Sequence, residues 1–212
     1  MRLLAPILAV LALVAAGCNG SDSSSSAAGQ PGPAQETTPQ VQPAGGGKHF
    51  TKAQLPKLAL QPGDAPPGMR YTRAASGRMS LDDVGFILPK QIADVRALNL
   101  KGIYDSTFDA KSGDLRLASR LWLFGDADGA EHWLDKTESD SQQYGFEPLT
   151  SPDLGDDSWA ARGNLAAEVV TYAFRMGNLV VVTSYTTQGA QLSESAALAA
   201  AQKAAQRVAK AA

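Results

Sequence analysis

Residues 167–186, AEVVTYAFRMGNLVVVTSYT, decide the fold of this chain. Two runs rich in β-branched and aromatic residues flank Gly177-Asn178, and both of these turn residues tolerate the positive φ that tight hairpins need. The run 179–182 is apolar on both faces, which is typical of a strand in the middle of a sheet. The segment therefore predicts an antiparallel hairpin whose second strand is central.

A second hairpin is predicted upstream, where residues 102–108 and 115–123 flank the turn signal Lys111-Ser112-Gly113-Asp114. Along residues 115–123, apolar and polar side chains alternate, as in a half-buried strand. One face carries Leu115, Leu117, Leu121 and Leu123, and the other carries Arg116, Arg120 and Trp122. One face is thus expected to point into a core.

Three helices complete the pattern. Ser80 begins a run with helical apolar spacing up to Leu98, with Pro89 as a break or restart, and Asp126 caps a second helix that runs to about Tyr144. Ser193 caps a last, alanine-rich helix. The predicted order is strand, helix, two strands, helix, three strands and helix. This order predicts an α+β fold, with a mostly antiparallel sheet of about five strands and two or three helices packed on it.

The N-terminus has the pattern of an export signal. Arg2 is followed by an apolar run over residues 3–16, which is shorter than the roughly 20 residues that span a bilayer. The stretch Val14-Ala15-Ala16-Gly17-Cys18 resembles the lipobox of bacterial lipoproteins, with Ala15 where leucine is most common. The resemblance implies cleavage after Gly17 and lipid attachment to Cys18, on the outer face of the bacterial cell membrane. The alternative is a secreted protein whose signal peptide ends near a cysteine by chance.

Composition then divides the chain into three parts. We expect residues 1–17 to be the signal peptide and residues 18–48 to be a Ser/Gly/Pro tether whose reach is roughly 30 Å, beginning with the cysteine that the resemblance implies is lipidated. Residues 49–212 are one extracytoplasmic α+β domain. Since Cys18 is the only cysteine, the sequence excludes an intramolecular disulfide and a cysteine-based zinc site.

The charge balance limits the possible partners. With 19 lysines and arginines against 21 aspartates and glutamates, the chain carries a formal charge of −2. This near balance argues against nucleic acid as a partner and against a polybasic surface for anionic lipid. The predicted membrane contact is the lipid on Cys18.

No catalytic group is predicted. The only histidines are His49, where tether and domain meet, and His132, on the expected solvent face of the second helix. No Gly-x-Ser-x-Gly elbow occurs, so a hydrolase is a distant third among the possible functions. We expect no enzymatic activity and no cofactor.

Two groups of aspartates resemble metal ligands and have simpler explanations. Asp126 and Asp128 begin like a calcium loop, but the distal glutamate of that loop is missing, and a helix cap explains them better. Asp153, Asp156 and Asp157 lie in a Gly/Pro-containing loop, where aspartate is a common turn residue. No metal site is predicted.

Trp122, Trp133 and Trp159 are the candidate ligand-binding residues. Three tryptophans in a small domain usually belong to the core or its edge. They could instead line an apolar cleft between a helix and the sheet.

Three short motifs resemble the extracytoplasmic sensor-type domains of actinobacterial lipoproteins and receptor kinases. They are Pro66-Pro67-Gly68, Leu154-Gly155-Asp156, and the run 175–182 followed by an alanine-rich helix. The resemblance covers most of residues 50–212. It implies a domain that binds small ligands or lipids or senses the envelope, and it assigns no functional residue.

The sequence thus favours a membrane-anchored lipoprotein whose domain binds a small or lipid-like envelope ligand. The alternative is an interaction protein that docks an envelope complex and has no small-molecule ligand. An apolar pocket of about 300–1,000 Å³ with a few polar groups would favour the first. A filled core with an exposed apolar patch would favour the second.

Overall fold

The computed structural model describes residues 48–84, 89–164, 166–189 and 192–211. The predicted signal peptide, the predicted lipobox with Gly17 and Cys18, and almost all of the predicted tether lie outside the described residues. None of the helices within these ranges is long and apolar enough to cross a membrane.

The described residues form an α+β fold built on one antiparallel sheet. The eight strands are β1 Met69–Tyr71, β2 Gly77–Met79, β3 Leu100–Ala110, β4 Leu115–Phe124, β5 Glu147–Pro148, β6 Asp157–Asn164, β7 Glu168–Met176 and β8 Leu179–Thr187. The four α-helices are α1 Leu55–Leu58, α2 Pro89–Ala97, α3 Ala127–Gln143 and α4 Glu194–Ala211. Short 3₁₀ turns cover Pro62–Asp64, Arg73–Ala75 and Leu81–Asp83.

The strand order in the sheet is β1-β3-β4-β8-β7-β6-β5, and β2 also pairs with β3. Both predicted hairpins are present: β3 pairs with β4, and β7 pairs with β8 through the turn Gly177-Asn178. Because β8 lies between β4 and β7, its predicted central place is confirmed. Only Gly177 of the two turn residues has a positive φ, at 57°.

The predicted fold class is confirmed, whereas the predicted numbers of elements are too low. The sequence predicts about five strands and two or three helices, and the described residues contain eight strands and four helices. The elements missing from the predicted order are β2, β5 and α1, which have 3, 2 and 4 residues. Elements this short hold less than two periods of a hydrophobic pattern, so periodicity does not reveal them.

The first long helix begins later than predicted. Ser80 caps only the 3₁₀ turn Leu81–Asp83, with its hydroxyl 2.6 Å from the Asp83 carboxylate. Helix α2 begins at Pro89, because proline has no N–H for a helix interior but suits the first helical position. Pro89 therefore starts a helix, as one of its two predicted roles requires.

Helices cover both faces of the sheet. On one face, α1 and α4 pack on β3, β4, β7 and β8, forming what we call the α4-side core. The buried residues of α4 are mostly alanines, whose short side chains let the helix lie close to the strands. On the other face, α2 and α3 cover what we call the tryptophan-side core, which contains Trp122, Trp133 and Trp159. All residues of the two cores lie between Phe50 and Val208, so this segment carries its own hydrophobic core.

Candidate functional site

The incoming chain is fixed to the sheet by one buried amide, that of Asn178 in the β7–β8 turn. Its Oδ1 accepts a hydrogen bond from the Phe50 N–H at 2.7 Å, and its Nδ2 donates to the Phe50 carbonyl at 3.1 Å. Nδ2 also donates to the Phe124 carbonyl, at the end of β4, at 2.8 Å. Asn178 is only 2% exposed, so these bonds form away from water. We call this arrangement the Asn178 clamp.

The motif Leu154-Gly155-Asp156 lies against the same turn. The Asp156 carboxylate accepts the Gly177 N–H at 2.6 Å, and the Asp156 N–H donates to the Arg175 carbonyl at 2.8 Å. A Cβ on Gly155 would lie 2.3 Å from that carbonyl oxygen, and a Cβ on Gly177 would lie 1.6 Å from the Lys48 carbonyl oxygen. Both glycines are therefore needed for close backbone approach. Two motifs that carry the resemblance meet here, and their role is structural.

A pocket of about 340 Å³, which we call the entrance pocket, lies beside the clamp. Its buried lining side chains are Phe50, Leu123, Phe124 and Asn178, which are 0–2% exposed. The other lining residues are His49, Thr51, Lys52, Lys101 and Gly125. The pocket thus combines an apolar floor with a largely polar and cationic rim.

The two lysines of the rim have no carboxylate partner within the part of the chain that the structure describes. The Lys52 stem packs over Gly102, with its Cγ 3.4 Å from where a Cβ would be, and the Lys101 Cε is 3.1 Å from the same position on Gly125. Long stems packed on the backbone leave the ammonium groups at the water boundary. Neither lysine forms an ion pair with any residue in the described ranges. The rim can therefore attract an anionic group.

The structure brings the three predicted ligand-binding residues together, but in the tryptophan-side core. Trp122, Trp133 and Trp159 are 4%, 3% and 7% exposed. The rings of Trp122 and Trp133 are 5.0 Å apart, and the Trp159 Nε1 donates to the Thr137 hydroxyl at 3.3 Å. The Trp133 Nε1 is buried and has no hydrogen-bond partner among the described residues. Their role in ligand binding stays a prediction.

The remaining candidate residues have local roles. His132 is exposed on α3, and its Nδ1 is 2.9 Å from the Asp128 carbonyl of the same helix. The Asp126 carboxylate caps α3 by accepting the Gly129 N–H at 2.7 Å. Within the described residues, no three His, Cys, Asp or Glu side chains gather as metal ligands would.

Sequence reasoning missed the entrance pocket. Phe50 and Asn178 are 128 positions apart, and no local pattern indicates that they meet. The available signal was Asn178 itself. Asparagine is common in tight turns because its backbone suits them, so its presence there does not indicate that its side chain also bonds three backbone groups.

The comparisons with known proteins support the fold. No protein-family model matches the chain, and no curated protein matches it. Among solved structures, the chain is similar to an extracellular domain, sharing its fold at a TM-score of 0.55. That structure is the extracellular domain of PknH from Mycobacterium tuberculosis, which is 16% identical and is matched over 78% of this chain and 100% of that one. The fold agrees with the one that the resemblance to extracytoplasmic domains implies.

Proposed function

We propose that this protein is a membrane-anchored extracytoplasmic lipoprotein whose entrance pocket binds a small amphiphile with an anionic head. The apolar part of the ligand would lie on Phe50, Leu123 and Phe124, and its head would lie between Lys52 and Lys101. The observation that carries the proposal is this buried apolar floor beneath two lysines that pair with no carboxylate of the described residues. The volume of about 340 Å³ falls within the range of small-molecule sites.

Two observations support the extracytoplasmic location. The apolar run 3–16 with Cys18 resembles a lipoprotein leader, and the fold matches an extracellular domain. Since a single acyl chain binds a membrane only marginally, stable anchoring would need two or more chains at Cys18.

Binding is favoured over docking through an apolar patch. Among the described residues, Tyr144 is the only large hydrophobic side chain that is strongly exposed, at 51%. A single exposed ring is normal on a soluble surface. A catalytic role has less support than binding, because the His132 ring contacts its own helix and the Asp156 carboxylate binds the Gly177 N–H.

Ligand binding is tested with residues 44–212, which include the whole hydrophobic core. Native mass spectrometry identifies any molecule that co-purifies. Decanoate is titrated into the protein, and decanol is titrated in parallel as its uncharged counterpart. Tryptophan fluorescence reports binding, because Phe124 lines the pocket and its ring lies 6.4 Å from that of Trp133. We expect saturable decanoate binding that is roughly tenfold weaker in Lys52→Gln/Lys101→Gln, consistent with losing about 1.4 kcal/mol of attraction.

The matched control is Lys111→Gln/Arg73→Gln, which removes two charges from exposed positions outside the pocket. Equal decanoate affinity in both double variants would overturn the proposed head-group site. Absence of decanoate binding, together with an empty domain by mass spectrometry, would overturn the pocket as a binding site for such amphiphiles.

Anchoring is tested separately in the full chain. A bacterial host is fed labelled palmitate, and the wild type is compared with Cys18→Ser. We expect the label and cleavage after Gly17 in the wild type and neither in the variant. Unlabelled wild type, or equal labelling of both chains, would contradict the lipid anchor.

A further inference from the structure

A second concave site lies between α1 and the C-terminal part of α4, and we call it the basic groove. It has a volume of about 410 Å³. Its lining residues are Lys57, Asp64, Lys203, Gln206, Arg207, Lys210 and Ala211. Four cationic side chains thus surround one carboxylate.

The carboxylate of Asp64 holds two of the four cations in place. Its Oδ2 accepts from the Arg207 Nε, and its Oδ1 is 3.3 Å from the Lys203 Nζ. The Gln61 N–H also donates to Oδ2 at 2.7 Å, and the Asp64 side chain is only 10% exposed. The Arg207 Nη1 donates to the Lys57 carbonyl at 3.4 Å. The groove is therefore a built arrangement that links α1 to α4.

Asp64 does not neutralise the groove. Lys57 and Lys210 are exposed, and neither forms an ion pair with any residue of the described ranges. The local excess of positive charge contrasts with the formal charge of −2 of the whole chain. The net charge of the chain thus gives no sign of a basic site that combines Lys57 of α1 with Lys203, Arg207 and Lys210 of α4. The near balance of charge over the whole chain therefore coexists with a locally basic surface.

The groove lies toward the end of the domain from which the chain leads to residues 1–47. Lys48 sits on the β7–β8 turn, where its Nζ is 3.6 Å from the Met176 sulfur. At the same end of the sheet, Lys52 packs over Gly102 near the start of β3. Helix α1 follows three residues later and carries Lys57 into the groove. A membrane to which residues 1–47 were attached would therefore be within reach of this end of the domain.

We propose that the basic groove binds the phosphate groups of an anionic phospholipid surface, so that the domain rests on the membrane through Lys57, Lys203, Arg207 and Lys210. Charge complementarity and the position of the departing chain favour this partner. The groove is distinct from the entrance pocket, and the proposal does not require that pocket to bind a ligand. It adds a second membrane contact to the anchor proposed at Cys18.

The test uses residues 44–212, so that neither Cys18 nor the apolar run 3–16 contributes to binding. The protein is sedimented with vesicles of phosphatidylcholine, with and without phosphatidylglycerol. We expect binding to the anionic vesicles that is weakened at least about tenfold in Lys57→Gln/Lys210→Gln. Raising NaCl from about 50 to about 300 mM should also release the wild type, because salt shortens the Debye length.

The control is Lys111→Gln/Arg73→Gln, which removes the same charge outside the groove and leaves vesicle binding within about twofold of the wild type. All four positions are exposed, and thermal unfolding verifies that each variant is folded. Equal losses in the two double variants would show a diffuse charge effect and overturn the proposal. Absence of vesicle binding would also overturn the proposal. Binding of inorganic phosphate in solution without binding of the vesicles would overturn it as well.

The outcome is independent of the decanoate test. Lys52→Gln/Lys101→Gln alters the entrance pocket, and Lys57→Gln/Lys210→Gln alters the groove. If the vesicle experiment contradicts the groove proposal, decanoate can still bind the entrance pocket. If the decanoate experiment contradicts the pocket proposal, the groove can still bind vesicles.

Discussion

The tryptophan-side core and the entrance end of the sheet are built in different ways. In the first, large aromatic rings under α3 fill the space between helix and sheet. In the second, a single amide holds the incoming chain through two hydrogen bonds to Phe50 and one to the end of β4, and a pocket lies beside it. Large aromatic side chains fill the space between a helix and a sheet. At the entrance end, two backbone segments cross and are held by polar contacts, and a gap remains beside them. The residues most prominent in the sequence therefore do not line the entrance pocket.

Phe124 joins the two regions. It is fully buried in the tryptophan-side core, and it also lines the entrance pocket. A ligand on Phe124 would therefore act on the packing of Trp133, whose ring centre is 6.4 Å away. Substitutions of Trp133 on one side of Phe124 and of Asn178 on the other test how far the two regions contribute to stability independently.

The largest effect is expected for Trp133→Ala. The ring is 3% exposed and packs against Trp122, so its removal leaves a large cavity in a filled core. We expect the free energy of unfolding, measured in urea, to fall by about 3–5 kcal/mol.

Two variants serve as controls for Trp133→Ala. Trp133→Phe keeps an aromatic ring and removes a buried N–H that has no partner in the described ranges, so it should cost much less. Tyr144→Ala should be close to neutral, because Tyr144 is exposed. A loss below about 1 kcal/mol for Trp133→Ala would contradict a filled core and favour an open cleft at the tryptophans.

A smaller loss is expected for Asn178→Ala. The variant leaves the N–H and C=O of Phe50 and the C=O of Phe124 without their side-chain partner. Buried groups without partners cost about 1–3 kcal/mol each, and partial relaxation of the chain should limit the total to about 2–4 kcal/mol. Urea unfolding measures the loss, and limited proteolysis should cut the variant first near residues 48–54.

The control for the clamp is Asn164→Ala, at the exposed end of β6, which should unfold like the wild type. If Asn178→Ala keeps both its stability and the protease resistance of residues 48–54, the clamp does not hold the chain. If stability falls without early cleavage, Asn178 stabilises the turn rather than the incoming segment.

Much of the fold could be predicted because its signals are local. The alternation over residues 115–123, the turn Gly177-Asn178 and the cap at Asp126 each act within a few residues. Features that depend on distant partners were missed. The Asn178 clamp spans 128 positions and the pair of Asp64 with Arg207 spans 143, and neither contact follows from periodicity. The candidate sites are built from such distant contacts, so the sequence predicted the scaffold better than the sites.

The smallest effect is expected for Asp64→Asn, which tests the polar contacts between α1 and α4. Burial raises the pKa of Asp64, but the hydrogen bonds from Gln61, Arg207 and Lys203 and the charge of Arg207 outweigh it, and the pKa is lowered below its usual value of 3.8. A lowered pKa in the folded state means that the carboxylate stabilises the fold above about pH 4 and that this contribution is lost as the pH falls further. At pH 7 we expect a loss of about 1–2 kcal/mol in the free energy of unfolding.

The difference between Asp64→Asn and the wild type should shrink below about pH 4, because the wild-type carboxyl then becomes protonated as well. The exposed Asp153 provides the control, since Asp153→Asn should change stability little at either pH. Asp64→Asn also leaves the four cations of the basic groove without a compensating carboxylate, so the less stable variant should bind anionic vesicles more tightly than the wild type. A loss of stability that is independent of pH would show that shape, rather than the charge of Asp64, holds α1 against α4.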